Sequence, residues 1–343
     1  MIGRVAQVTD TGRKRRRNED SFVCDPPLFA IADGMGGAQA GEVASRLAAA
    51  AIREGGPAGG GESRIFELIQ EANRRVYDRA TSDPNTSGMG TTMTVAIVDG
   101  DDVAFGHVGD SRAYLIRDRR MEQLTEDHSL VNELLKSGKL SPEEADVHPQ
   151  RSVITRAVGT DPDVDVDTFT VTAKAGDLYL LCSDGLTDVV SEKEIFDLVE
   201  QNRGNIDRAL KALVKEANRG GGDDNITVVA FEITDEPVND GQTKEQAVPA
   251  GYDPDPVIDD EDTLTEADQV PVVGGDTMIV RTDELLAQID AERNGGDSEA
   301  AAEAAEAAPR RRIARRRVVA WLVLLLLAAA IAALVLWKLD LFG

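Results

Sequence analysis

Residues 28–45 read LFAIADGMGGAQAGEVAS, and this stretch decides how the fold is interpreted. An apolar run ends at Asp33-Gly34, passes through a glycine-rich turn and enters a segment with helical periodicity. Strand, glycine-rich turn and helix also occur in dinucleotide-binding folds, but here Gln39 stands where the third small residue belongs. The carboxylate of Asp33 at the mouth of the turn would also repel a phosphate.

Other acidic residues stand at the ends of apolar runs that have the composition of strands. Asp184 stands near the end of LLCSDG, and Asp110 follows the strand in HVGDSRAY. Asp223 and Asp224 precede the strand in GGGDDNITVVAF. A single Asp-Gly after a strand is most often an ordinary turn. Four clustered carboxylates without histidine or cysteine partners would repel each other unless a cation neutralised them. Oxygen-only ligands favour Mg²⁺ or Mn²⁺ over zinc, so the sequence predicts a site for a hard cation.

The composition restricts the class of protein. The chain has 343 residues, 42% of them hydrophobic, and 37 basic against 62 acidic side chains give a net charge of −25. Such acidity argues against a nucleic-acid-binding protein, because phosphate contacts need clustered cations. Cys24 and Cys182 lie far apart inside apolar runs, which predicts buried thiols rather than a disulfide or a zinc site. No apolar run follows the first charges, so a signal peptide is not expected.

The charge pattern predicts several segments. Residues 1–235 carry 27 basic and 41 acidic side chains and form the predicted folded domain, whereas residues 236–309 carry 3 basic and 20 acidic ones and are predicted to be a disordered linker. Six arginines within residues 310–317 precede VVAWLVLLLLAAAIAALVLW (318–337), which is long enough to span a bilayer. The arginines predict a cytoplasmic location for the preceding domain, leaving residues 338–343 as a short outer tail.

Periodicity within residues 1–235 predicts an α+β fold. Helical patterns cover residues 40–53, 62–80, 191–200 and 205–219. Strand-like runs joined by tight turns between residues 91 and 127 predict an antiparallel sheet, and two more apolar strands cover residues 177–185 and 225–233. Helices are expected to cover the faces of the sheets.

Six short motifs, taken in order, resemble those of a known family. They are Arg15-Arg16-Arg17-Asn18-Glu19-Asp20, Ala32-Asp33-Gly34-Met35-Gly36-Gly37, Gly90-Thr91-Thr92, Val108-Gly109-Asp110-Ser111-Arg112, Ser183-Asp184-Gly185 and Asp223-Asp224-Asn225. Over residues 3–233 the chain resembles the metal-dependent PP2C-type serine/threonine protein phosphatases, in particular the membrane-tethered bacterial ones. The resemblance implies an α/β/β/α sandwich of two antiparallel sheets flanked by helices.

The resemblance also implies an active site with two divalent cations, Mn²⁺ or Mg²⁺. By motif position Asp33 would bridge them, Asp184 and Asp224 would bind the first, and Glu19 and the Gly34 carbonyl would bind the second. Asp20 would hold metal-bound waters, and Arg15 would bind the substrate phosphate. A third metal would use Asp110 and the carbonyl of Ser152. Two cations about 4 Å apart generate hydroxide at neutral pH, so hydrolysis of phosphoserine and phosphothreonine needs no protein nucleophile.

Two positions depart from patterns seen in relatives. Met35 replaces the histidine that eukaryotic relatives use as a general acid, which assigns leaving-group protonation to water. Ala38 stands where many bacterial relatives have a histidine that contacts substrate, so the orientation of the substrate is open.

Other interpretations of the same residues remain as alternatives. A tethered pseudophosphatase would bind phosphoproteins without turnover. The cations of residues 13–17 resemble a nucleic-acid patch, although in an acidic domain they are more often solvated and available to phosphopeptides. The Gly-Asp-Ser of residues 109–111 resembles a serine esterase motif, but the last histidine of the chain is His148.

The expected partners are phosphoproteins and a membrane Ser/Thr kinase, with the C-terminal helix in lipid and the protein as a monomer at the cytoplasmic membrane. In the linker, Thr263, Thr265 and Thr277 stand among acidic residues as candidate kinase targets.

Overall fold

A computed structural model describes residues 1–36, 40–57, 59–145 and 148–235, together with the backbone of residues 278–279. The strands are β1 Ile2–Asp10, β2 Asp20–Asp25, β3 Leu28–Met35, β4 Gly90–Thr91, β5 Met93–Asp99, β6 Asp102–Val108, β7 Arg112–Arg117, β8 Arg120–Gln123, β9 Val153–Ile154, β10 Asp167–Thr172, β11 Leu178–Cys182, β12 Ile226–Ile233 and β13 Met278–Ile279. The helices are α1 Ala40–Gly55, α2 Glu62–Ser82, α3 Leu130–Lys136, α4 Pro142–Ala145, α5 Asp184–Thr187, α6 Glu192–Gln201 and α7 Ile206–Gly220.

The strands form two antiparallel sheets that face each other. The first sheet has the order β1-β12-β11-β7-β8, and the second has the order β10-β6-β5-β3-β2, with β4 paired to β3. Between the sheets, Phe29 of β3 stacks on Phe231 of β12 with ring centroids 4.1 Å apart, and Tyr179 of β11 stacks on Phe231 at 5.0 Å. These rings belong to a buried apolar layer that joins the sheets.

Two further apolar layers cover the outer faces. Buried alanine, leucine and isoleucine side chains of α1 and α2 pack against the second sheet. Those of α6 and α7 pack against the first sheet, because their apolar residues recur three and four positions apart. Helix α6 begins at a capping box, in which Ser191 Oγ accepts a hydrogen bond from the Glu194 amide and the Glu194 carboxylate accepts one from the Ser191 amide. The α/β/β/α sandwich predicted from the sequence is confirmed.

The helices predicted from periodicity agree with α1, α2, α6 and α7 within a few residues. The prediction of one antiparallel sheet between residues 91 and 127 is wrong, because β5 and β6 belong to the second sheet whereas β7 and β8 belong to the first. The chain changes sheets at Gly109, which has φ +109°; a Cβ there would lie 2.6 Å from the Thr92 side chain, so only glycine fits.

Between β8 and β10 lie residues 129–145 and 148–156, which we call the flap; they contain α3, α4 and β9. Strand β9 pairs in parallel with β13, at Met278↔Val153 and Ile279↔Ile154. Cys24 and Cys182 are both free thiols; Cys182 is buried as predicted, whereas Cys24 is only half-buried. Burial raises the pKa of each to about 12.

Several predictions concern the remainder of the chain. In the ranges that the structure describes, no helix has the length and apolar character needed to cross a membrane. The predicted membrane span 318–337, the basic segment 310–317, the tail 338–343, Ala38 and the linker threonines lie outside the described residues. So does the linker itself, apart from the backbone of residues 278–279.

Candidate active site

The predicted acidic residues meet where the rims of the two sheets adjoin. In the second sheet, Asp20 of β2 stands directly opposite Asp33 of β3 in the antiparallel register. In the first sheet, Asp184 follows β11 and Asp224 precedes β12, and these strands are neighbours. A hydrogen bond of 2.9 Å from Ser183 Oγ to Asp20 Oδ2 joins the two rims. Carboxylates from four separate parts of the sequence thus belong to one site.

Asp33 lies at the centre of this cluster. Thr91 Oγ1 donates to the Asp33 carbonyl at 2.8 Å, and the Asp33 amide donates to Thr92 Oγ1 at 2.9 Å, so its backbone is fixed from the neighbouring strand. Burial raises the pKa of the Asp33 carboxyl well above its usual value. The negative charges that raise it further are those of Asp20, Asp184, Asp224 and Asp110, in that order.

Two carboxylate oxygens in the cluster have no hydrogen-bond partner in the described part of the chain although they are buried. They are Oδ1 of Asp20 and Oδ1 of Asp184. Burial raises the pKa of Asp20 to about 6, and burial followed by the charge of Asp110 raises that of Asp184 well above its usual value. Buried polar atoms are normally paired, so oxygens left without a partner among like charges fit a ligand that is itself a cation.

Among the described residues, no three His, Cys, Asp or Glu side chains are arranged as a group that could hold a metal ion. Asp224 shows why. Its Oδ2 accepts a hydrogen bond of 2.8 Å from Arg15 Nη2, and its Oδ1 accepts one of 2.8 Å from the Asn225 amide. The arginine predicted to bind phosphate thus pairs with a carboxylate predicted to bind metal.

Glu19 and Gly34, which were predicted to serve a second cation, lie side by side. The Gly34 amide donates to the Glu19 carbonyl at 3.2 Å. Helix α1 begins against them: a Cβ on Gly41 would lie 2.6 Å from Glu19 Oε2, and a Cβ on Gly34 would lie 2.1 Å from the Gly41 carbonyl oxygen. Both glycines are therefore required by close approach of the backbones, and the Glu19 carboxylate rests against the first turn of α1.

Asn225 organises the site in a way that the sequence analysis did not identify. Its Oδ1 accepts the Glu19 amide at 2.8 Å, and its Nδ2 donates to the carbonyls of Thr11 and Arg17, both at 2.9 Å. A single buried side chain thus fixes both ends of the segment that carries Arg15 and Glu19. Its position directly after Asp224 was a signal, but its partners are more than 200 residues away in sequence.

Asp110 and Ser152 were predicted to bind a third metal. Asp110 is 9% exposed, and burial, followed by the charges of Asp127 and Asp188, raises its pKa to about 7. Arg151 of the flap lies 3.6 Å from Asp188, so the flap approaches this side of the cluster. No contact between Ser152 and Asp110 is present in the described residues, and the third site stays a prediction.

Ser111 of the Gly-Asp-Ser motif and His107 are both engaged in hydrogen bonds within the fold. Ser111 is fully buried and shares a 2.8 Å hydrogen bond with Thr92, so a serine-esterase arrangement is excluded. His107 bonds Thr94 through Nδ1 and the Glu126 carbonyl through Nε2, and burial lowers its pKa to about 3, as expected for a satisfied core histidine.

His128 lies beside Gly109, which is next to Asp110 in sequence. Its Nδ1 accepts the Gly109 amide at 3.0 Å, and its Nε2 lies 3.2 Å from an Asp167 carboxylate oxygen. Both ring nitrogens are engaged with groups away from the carboxylate cluster, so His128 supports the loop that carries Asp110.

Comparison with known proteins agrees with this geometry. A family model described as Protein phosphatase 2C matches residues 15–134 and 141–226. A serine/threonine phosphatase stp of Listeria welshimeri is 41% identical over 236 residues, which cover 65% of this chain and 93% of the relative. The serine/threonine protein phosphatase PstP of Mycobacterium tuberculosis is 39% identical over 268 residues, 77% of this chain but only 50% of that protein.

Solved structures show the same likeness. A crystal structure of the M. tuberculosis phosphatase PstP superposes with a TM-score of 0.65 at 39% identity, covering 68% of this chain and all of that chain. A PstP catalytic domain in complex with two manganese ions superposes with a TM-score of 0.63 at 37% identity, covering 68% and 99% of the two chains. On the evidence of its sandwich, its carboxylate cluster and these matches, the chain belongs to the protein phosphatase 2C family.

Proposed function

We propose that this protein, whose family makes it a serine/threonine protein phosphatase that uses divalent cations, hydrolyses phosphoserine and phosphothreonine at the carboxylate cluster. The observation that supports this most is the pair of buried oxygens of Asp20 and Asp184, which lie beside Asp33 and have no hydrogen-bond partner among the described residues. A structural role would have given these charges a basic partner. Their arrangement instead suits cations that bind from solution.

The residues that would hold the cations are those that the family resemblance assigns, and their position in the carboxylate cluster supports the assignment. Asp33, Asp184 and Asp224 would bind one, and Asp33 with Glu19 and the Gly34 carbonyl would bind the other, while Asp20 would orient water. When bound, such cations lower the pKa of water and neutralise charge on phosphate oxygens. A third site at Asp110 and Ser152 is part of the same proposal.

Arg15 would bind the phosphoryl group of the substrate. Its guanidinium can donate two parallel hydrogen bonds to phosphate oxygens, and it already lies 2.8 Å from Asp224 at the cluster. A cation bound to Asp224 would compete with Arg15 for that oxygen, and Arg15 Nη2 could then donate to a phosphate oxygen instead. The protein side chains thereby position the phosphoryl group and stabilise its charge, and no covalent intermediate with the protein is needed.

The test is hydrolysis of a phosphothreonine peptide with and without Mn²⁺. We expect turnover that requires the metal and falls by about three orders of magnitude in Asp33→Asn, because removing a ligand costs several kcal/mol of stabilisation. The matched control is Asp78→Asn, which alters an exposed carboxylate on α2 that makes no side-chain hydrogen bond or ion pair in the described residues, and it should retain full activity. Peptide binding without any metal-dependent turnover would favour the pseudophosphatase instead.

The membrane location is a separate proposal that rests on the sequence of residues 310–337 alone. Tethering would place the domain beside membrane Ser/Thr kinases and their substrates. Fractionation of cells that express the full chain, compared with a chain ending at residue 309, tests it: the first should sediment with membranes and the second should not. The monomeric state stays a prediction for the same preparations.

A further inference from the structure

Five consecutive cations, Arg13 to Arg17, form a loop between β1 and β2 at the mouth of the candidate active site. We call these five residues the basic loop. They are unexpected in a domain with 27 basic and 41 acidic side chains, since adjacent like charges repel each other. Arg15 has a role in the proposed site, and the structure shows what surrounds the other four.

The backbone of the basic loop is held at both ends. The amides of Arg13 and Lys14 donate to the Gly222 carbonyl at 2.7 and 3.2 Å, and the Arg17 carbonyl accepts from Asn225 Nδ2 at 2.9 Å. The backbone that carries the cations is therefore fixed at the rim of the cluster. The fold thus places positive charge at this point of the surface.

Of the four flanking cations, two have an acidic partner among the described residues and two do not. Lys14 pairs with Asp223 at 2.7 Å, and Arg17 lies 3.7 Å from Glu42. Arg13 and Arg16 are exposed, and neither side chain has an ion pair or a hydrogen bond to any other described residue. Two guanidinium groups without an internal partner thus flank the arginine proposed to bind the substrate phosphate.

The distances of Arg13 and Arg16 from Arg15 determine which part of a substrate they can reach. Arg16 is adjacent to Arg15 and Arg13 is two residues away, so their Cα atoms lie within about 4 to 7 Å of that of Arg15. An extended substrate advances about 3.3 Å per residue, so an anionic group two to four residues from the phosphorylated residue lies roughly 7 to 13 Å from it. Both guanidinium groups can meet such an anion on their flexible side chains.

We propose that Arg13 and Arg16 determine specificity, by selecting phosphoproteins that carry another anionic group within a few residues of the phosphorylated one. The group is a carboxylate or a second phosphate, both of which accept the planar pair of hydrogen bonds that arginine offers. This inference rests on the proposed function, because it concerns which substrates reach that site.

The test compares three phosphothreonine peptides of equal length with the full chain in Mn²⁺. One has neutral flanks, one has glutamate at positions −3, −2, +2 and +3, and one has a second phosphothreonine at +3. At low ionic strength we expect kcat/KM to be about 3- to 10-fold higher for either anionic peptide, mostly through KM, since each exposed pair contributes up to about fivefold. The preference should decline as salt is raised towards 0.5 M.

The variants are Arg13→Gln, Arg16→Gln and the double variant. Glutamine keeps the Arg13 Cγ that packs close to Gly222. The double variant should lose the preference while hydrolysing the neutral peptide at the original rate. The matched control is Arg208→Gln, which removes the same charge from the first turns of α7, about 20 Å from the end of that helix that leads to Gly222. It should keep the preference.

Each result decides the question. Equal kcat/KM for the three peptides, or a preference that survives in the double variant, overturns the role of Arg13 and Arg16 and leaves the phosphatase proposal standing. Hydrolysis of none of the peptides overturns both. Inhibition by a short single-stranded RNA that the double variant abolishes, without a preference among the peptides, would assign the basic loop to nucleic acid instead.

Discussion

Strand β11 has an aspartate near each end, and the two have opposite surroundings. Asp177, just before the strand, is 1% exposed; its Oδ1 accepts Arg117 Nε at 2.7 Å and its Oδ2 accepts the Lys174 amide at 2.7 Å. Asp184, two residues after the strand, has a buried Oδ1 without a partner in the described residues, and other carboxylates raise its pKa. One end of the strand holds a completed ion pair and the other holds uncompensated charge.

The contrast between Asp177 and Asp184 distinguishes a carboxylate that stabilises the fold from one that is available for function. A buried carboxylate with a bidentate arginine is satisfied within the fold, and removing one partner leaves the other charge buried and alone. A carboxylate among like charges lowers the stability of the metal-free fold, and binding of an external cation would offset that cost. The two ends of β11 should therefore respond in opposite ways to the same kind of substitution.

The largest expected effect is on activity at the Asp184 end. Asp184→Asn should lower metal-dependent turnover of a phosphopeptide by about 10³-fold, through loss of a cation ligand. It should leave the melting temperature of the metal-free protein unchanged or raise it, because one of several repelling charges is gone. Thermal melts in a chelator, paired with phosphate-release assays, check both parts. A large fall in the metal-free melting temperature would contradict the contrast.

At the Asp177 end we expect a large effect on stability alone. Asp177→Ala should lower the free energy of unfolding by about 2 to 4 kcal/mol, since it leaves the Arg117 guanidinium without its partner in a half-buried position. Activity per folded molecule should be retained. Urea unfolding measures the first and assays below the new transition measure the second. Asp177→Ala with Arg117→Leu should recover part of the loss, whereas no recovery would show that the pair does not act as a unit.

A smaller effect concerns pH in the metal-free protein. The pKa of Asp110 is raised to about 7 and that of Asp20 to about 6, so the folded state holds protons that the unfolded chain has released. Stability from these groups is therefore lost as pH rises from about 4 to 7. Burial lowers the pKa of His107 to about 3, so stability from this group is instead lost as pH falls below about 6.5.

The informative range is thus pH 6.5 to 8. Over this range the metal-free melting temperature should fall by about 2 to 4 °C as pH rises, equivalent to roughly 1 kcal/mol. Saturating Mn²⁺ should abolish or reverse the trend, because cations compete with protons for the same oxygens. Asp110→Asn should flatten the metal-free curve, and a curve unchanged by this substitution would assign the titration elsewhere.

The smallest effect tests the geometry of the completed pair. Arg117→Lys keeps the charge but loses the planar contact with both carboxylate oxygens of Asp177, so it should cost about 1 kcal/mol in urea unfolding. The equivalent change at an exposed helix pair, Arg74→Lys beside Glu71, should cost less than half as much. Equal losses would show that burial does not strengthen the Arg117 pair.

Local patterns in the sequence predicted much of the fold. The long helices were predictable because their apolar residues recur at helical spacing against a sheet. Strand β10 was missed, since its side chains at the edge of the second sheet are mostly half-buried or exposed and give little apolar contrast. The change of sheet at Gly109 was missed because a single glycine does not show which sheet the next strand joins.

At the site, the acidic residues were predictable from their positions at strand ends. Their supports were not, because the hydrogen bonds of Asn225 to the segment near Glu19 span more than 200 residues. The pairing of Arg15 with Asp224 was likewise not predictable, since it depends on how two loops from opposite ends of the domain meet.

The register of the hairpin formed by β2 and β3 has a further consequence. Only Pro26 and Pro27 join the two strands, and this length sets Asp20 opposite Asp33. Successive side chains of a strand point to opposite faces, so a one-residue insertion that shifted the register would turn one carboxylate away from the other. Catalytic activity can therefore be lost through a change in the length of the turn between β2 and β3, although every acidic residue is still present.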